Sequence, residues 1–113
     1  MDKELIDLVN PEIDFSFAGK IYKVKKANVK KALSYQQKIK ELTDNNSIGI
    51  DLLLVSHCIY LCLKDSDSTI TEDWVQSNTP GDIDVAEVLT TLGFMNPKQR
   101  ERLQKVQDKI LEK

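Results

Sequence analysis

The sequence predicts a mainly α fold, a single domain of about five helices with a small N-terminal β-hairpin, spanning residues 1–113. Three observations carry this expectation. The chain has 113 residues, about the length that builds one hydrophobic core and too short for two stable ones. Its composition is 41% apolar and 30% charged with only four Gly and three Pro, which excludes collagenous, low-complexity and disordered classes. Apolar residues alternate with a period of two before residue 26, then recur at spacings of three and four after residue 28, the periods of strand and helix respectively.

The hairpin is expected over about 13–25. Ile13, Phe15 and Phe17 fall on one side of the period, Ala18-Gly19-Lys20 supplies a turn, and Tyr22 and Val24 then oppose Ile21 and Lys23, the pattern of two short strands joined at a glycine. An isolated hairpin is barely stable in water, so its Phe side must lie on helices or on a neighbouring subunit's sheet. Its edge is a candidate contact surface.

Asn28 is placed to cap a helix over about 29–42, whose stripe is Val29, Ala32, Leu33, Tyr35, Ile39 and Leu42. The Asn-rich stretch at 43–47 ends it. A second helix, about 48–63, is apolar all round, which a helix sustains only when neighbours cover it, so it is the centre of the core. Thr71 caps a short third helix, about 72–77, with Glu72 and Asp73 in its first turn and Trp74 as its anchor. Thr79-Pro80-Gly81-Asp82 has capping-box spacing with Pro first in the helix, predicting a fourth helix over about 80–92, with a stripe of Val85, Val88, Leu89 and Leu92 and a stop at Gly93. Asn96-Pro97-Lys98-Gln99 repeats that grammar and opens a fifth, about 97–111, with Leu103, Val106 and Ile110 as a narrow seam.

Charge is segregated along the chain. The net values are +2 for residues 1–44, −7 for 45–95 and +3 for 96–113, giving −2 overall with a pI of 5.4. Such polarity favours oriented contacts with other proteins, including further copies of this one. The first nine residues lack the uninterrupted apolar core of a secretory signal. The apolar run at 48–63 is sixteen residues long and interrupted by Asp51 and His57, short of the ~20 residues that a membrane span needs. A cytoplasmic protein with reduced Cys58 and Cys62 and no membrane partner is expected.

Few residues offer chemistry. His57, Cys58 and Cys62 include neighbours about a hundred degrees apart on a helix and find no fourth ligand, so no metal or other cofactor is expected. The only His sits one residue from Cys58 on a different helical face, a poor base for a thiol nucleophile. Asp65-Ser66-Asp67-Ser68-Thr69 begins like a calcium loop, yet Ile70 stands at the Gly position and Gln76 at the bidentate Glu position. No catalytic residue is assigned, and the chain is not expected to be an enzyme. The most one-sided feature is Lys20, Lys23, Lys25, Lys26, Lys30 and Lys31, six Lys without an acid in twelve residues. A small nucleic-acid-binding regulator using this cluster is the alternative function, though the run has no Arg and only Tyr22 to stack on a base.

The order of elements carries one resemblance. A hairpin holding Phe15, Phe17, Gly19, Lys20, Tyr22 and Val24, a Lys-rich helix, an apolar central helix, the segment Ile70 to Val75 with Trp74, and a helix around Val85 to Leu92 together resemble the small tail assembly chaperones of long-tailed phages and prophages. The resemblance implies a non-catalytic protein of the host-cell cytoplasm that binds the tape-measure protein, helps to recruit tail-tube subunits and self-associates. It transfers no catalytic or metal residue. The expected partner-binding residues are Phe15, Phe17, Tyr22, Lys25 and Lys26 at the hairpin and Leu103, Val106 and Ile110 near the C-terminus, where the seam docks either on the chain's own core or on a partner.

Overall fold

The structure, a computed structural model, describes residues 11–96. Two antiparallel strands, β1 (Glu12–Phe17) and β2 (Lys20–Lys25), are followed by four helices: α1 (Val29–Asp44), α2 (Ile50–Ser66), α3 (Glu72–Asn78) and α4 (Val85–Thr91). The fold is therefore mainly α with an N-terminal hairpin, and the described residues hold four helices. The helix expected over 97–111 lies outside them.

The hairpin forms as its alternation dictates. Ile13 pairs with Val24, Phe15 with Tyr22 and Phe17 with Lys20, so one face is apolar apart from Lys20 at the turn and packs on the helices, while Glu12, Asp14, Ser16, Ile21, Lys23 and Lys25 occupy the other. Ala18 and Gly19 both adopt positive φ, 50° and 80°, as a two-residue loop between right-twisted strands requires.

Helix α2 is the centre of the molecule. It touches α1, α3, α4 and β2, and Val55, Cys58, Ile59, Cys62 and Leu63 are completely buried in one cluster with Val24, Val75, Leu89 and Leu92. It starts two residues later than expected. Gly49 takes the left-handed φ of 71° and its carbonyl accepts from Leu53 N–H, so the chain turns there and Ile48 is left in solvent.

Helix α1 is capped as predicted, with Lys31 N–H donating to Asn28 Oδ1 at 2.9 Å. Its inward face differs from the expected stripe. Leu42 and Lys31 are buried and Tyr35 packs on the core, whereas Val29 and Leu33 point outward. The reason is electrostatic: the Lys31 stem lies against the core while its ammonium reaches Asp65 and the Lys25 carbonyl, so a charged residue is accommodated inward.

Trp74 N–H donates to Thr71 Oγ1, the predicted cap of α3. The buried anchor of α3 is Val75, however, and Trp74 is partly exposed with its ring edge-on to Phe17 at 5.6 Å. Helix α4 begins at Val85 instead of about residue 80. The Thr79 hydroxyl donates back to Val75 O and so serves the end of α3, while Asp84 Oδ1 accepts from Glu87 N–H and is the true N-cap. At its other end Gly93 N–H donates to Thr90 O and Phe94 N–H to Leu89 O, the paired bonds of a Schellman stop. The Leu92 carbonyl then accepts from Ala27 N–H at 2.8 Å, tying α4 to the end of β2.

Candidate functional site

The hairpin residues expected to meet a partner face the chain's own helices. Phe17 and Tyr22 are buried and Phe15 packs partly buried beside them, its ring 6.4 Å from that of Phe17. The pleat accounts for this: Phe15 and Phe17 point to one face of β1, and Tyr22, opposite Phe15, shares it. The large apolar side chains that stand furthest into solvent are Ile21 at 67% exposure, Val29 at 76%, Leu33 at 59% and Ile48 at 95%, with Leu52 and Trp74 exposed to a lesser degree. Leu103, Val106 and Ile110 lie outside the described residues.

The lysine cluster is divided among different duties. Lys31 is buried against Asp65, Lys23 lies 3.9 Å from Asp14 on the outer hairpin face, and the Lys20 ammonium sits over the Tyr22 ring at 5.1 Å. Lys25 is exposed and Lys26 is half-buried. The six side chains do not form one solvated cationic face.

A polar relay crosses three helices. Ser34 Oγ on α1 lies 3.1 Å from His57 Nε2 on α2, and His57 Nδ1 lies 3.2 Å from Glu72 Oε2 on α3. A carboxylate only accepts, so Nδ1 carries a hydrogen, and in the neutral ring Nε2 then accepts from the Ser34 hydroxyl. Lys38 stands beside the relay, 3.8 Å from Glu72 and 3.5 Å from Glu41. The imidazole is held almost wholly inside, with only 12% of its side chain exposed. The spacing rules do not reach Ser34, because the separations in the chain, 23 residues from Ser34 to His57 and 15 from His57 to Glu72, carry no local signal. A hydroxyl at position 34 on the face of α1 turned toward α2 was the only hint.

The thiols are inert by placement. Burial, reinforced by Cys62 and Glu72, pushes the Cys58 thiol far above its ordinary range. Burial pushes Cys62 up to about 11, with nearby Lys31 partly opposing the shift. Neither is a nucleophile near neutral pH. Asp67 behaves oppositely: the hydroxyl and amide of Thr69 both donate to its carboxylate, at 2.6 and 3.0 Å, and hold it below the usual carboxylate range. The loop that began like a calcium site is thus a turn closed on itself. Among the described residues no group of three His, Cys, Asp or Glu is arranged to hold a metal ion, and no helix is long and apolar enough to cross a membrane.

No protein-family model, no curated protein and no solved structure matches the chain.

Proposed function

We propose that the chain is a tail assembly chaperone that binds an extended, apolar tape-measure protein, helps to recruit tail-tube subunits to it, and self-associates in the host cytoplasm. The observation that carries this reading is the set of Ile21, Val29, Leu33 and Ile48, large apolar side chains left in solvent outside the core. Isolated exposed apolar residues are common. Here Val29 and Leu33 lie one turn apart on the same side of α1, an arrangement suited to a client helix. Weak contacts of this kind gain strength when several copies bind along one client.

The test is light scattering on the protein alone and after co-expression with a tape-measure fragment from its own genome. The expected result is a co-eluting complex with several copies of this chain per fragment. A strict monomer that ignores the fragment overturns the reading, and would leave the nucleic-acid alternative to be examined through the salt dependence of binding.

A further inference from the structure

The hydroxyls of Ser56, Thr79 and Thr90 each donate to a carbonyl of their own helix, at 3.0, 2.7 and 2.7 Å, the ordinary resting place for such a group. Ser34 departs from that pattern and turns to the imidazole of His57. It also lines two adjoining hollows. One, of about 110 Å³, holds Gln37, Lys38 and His57; the other, of about 280 Å³, holds Asn28, Lys30, Leu61 and Lys64. Lys31 and Asp65 also line the larger cleft but are committed to each other, with the Lys31 ammonium reaching the Lys25 carbonyl as well. The Lys64 ammonium rests over the Tyr60 ring at 5.3 Å, so Lys30 is the first cation that the cleft offers to a ligand and Lys64 joins it on leaving the ring.

We propose, beyond the binding role, that Ser34 is a nucleophile activated by His57, which takes the acyl group of a small anionic ester seated in the cleft of Lys30, Leu61 and Lys64. The arrangement has the three parts that such chemistry needs: a hydroxyl within reach of a base, the base held by a carboxylate, and an open cleft beside the hydroxyl. As Oγ bonds to the ester carbonyl carbon, its proton passes to Nε2 and the carbonyl electron pair moves onto oxygen. Collapse of that intermediate breaks the bond to the leaving oxygen, which takes the proton back from Nε2 and departs as an alcohol or phenol. Water then attacks acyl-Ser34 by the same relay, releasing the carboxylic acid and restoring the hydroxyl. Glu72 is a positioning residue, holding the Nδ1 hydrogen so that Nε2 faces Ser34. Within α1 the backbone N–H groups around Ser34 are used by the helix itself, so the positive charge that meets the developing oxyanion comes from the cleft's lysines, Lys30 first and Lys64 on leaving the Tyr60 ring.

The test uses the full chain with two probes, the para-nitrophenyl monoester of glutaric acid, which carries one carboxylate, and neutral para-nitrophenyl acetate. A glutaryl adduct is expected on the peptide containing Ser34, by mass spectrometry, with the charged ester reacting faster than the neutral one. Nitrophenolate release falls about a hundredfold in Ser34→Ala and in His57→Gln, the scale of a lost general base. Glu72→Gln, whose amide oxygen still accepts from Nδ1, keeps part of the rate that Glu72→Leu loses at unchanged circular dichroism. Ser34→Ala removes a single oxygen and carries the test alone if a His57 variant does not fold. Adducts on lysines only, or a Ser34 adduct whose rate His57→Gln leaves unchanged, overturn the proposal. A neutral ester that reacts as fast as the charged one overturns the substrate class.

Discussion

Gly93 is fixed by two constraints at once. Its φ is 87°, and a Cβ there would stand 3.2 Å from both the Ala27 amide nitrogen and the Lys26 Cβ. Left-handed backbone costs an ordinary residue about 1–2 kcal/mol, so Gly93→Ala is expected to lower stability by at least that amount in denaturant titration, while Gly81→Ala, with ordinary φ and nothing within 4 Å, leaves it nearly unchanged. The two thiols set a pH dependence of known sign. Cys62 is raised in the folded chain from 9.0 to about 11, so its contribution is fully present below pH 9 and is lost as pH rises through 11; the shift of Cys58 has the same direction. Thermal midpoints should therefore fall as pH rises above 9, and Cys62→Ala should remove part of that fall. Residues whose roles are local were legible in the sequence. Asn28, Thr71 and Gly93 act on neighbours two to four positions away, within reach of spacing arguments. Ser34, His57 and Glu72 meet only because three helices pack together, and no spacing rule anticipates that.

Among the elements, the hairpin turn is the one that its own sequence serves least well. Both central positions need positive φ, yet the first is Ala18 at 50°, where Asn is the residue that tolerates the left-handed region and Asn-Gly the favoured pair. Ala18→Asn is expected to stabilise the protein by about 0.5–1 kcal/mol, the part of the left-handed cost that Asn avoids, read as a higher denaturation midpoint at unchanged slope. A destabilised variant would mean that the turn gains from Ala18 something other than backbone geometry. Element boundaries show where sequence grammar is ambiguous. Thr79-Pro80-Gly81-Asp82 and Asp84 to Glu87 are both acceptable helix starts on spacing alone, and the choice fell to Asp84 because the Thr79 hydroxyl is taken by Val75 O. The start of α2 differs from the expected one for a related reason: Gly49 can continue a helix or break it, and its φ of 71° breaks it.

At the scale of the whole molecule the sequence located the core but not the orientation of the helix beside it. An all-round apolar α2 had to be central, and its buried residues bear this out. For α1, hydropathy alone ranks Val29 and Leu33 above Lys31 as inward residues, and the order is reversed because Asp65, 34 residues away in the chain, neutralises the Lys31 ammonium. That reversal leaves Val29 and Leu33 mostly in solvent, where they add little to the monomer's stability. Surface substitutions of this kind stay within about 0.5 kcal/mol, whereas Ile59→Ala in the buried centre of α2 should cost about 2–5 kcal/mol. On the proposed self-association, the double variant Val29→Asn with Leu33→Asn is therefore expected to melt with the parent protein and yet to shift the light-scattering mass toward the monomer, since the two apolar side chains then no longer gain burial between copies. If the variant associates as the parent does, the outer side of α1 is not the contact, and the segregated charge of the chain is left to hold copies together. Raising the salt separates the two cases in the same experiment, because charge contacts are screened at high ionic strength and apolar ones are not.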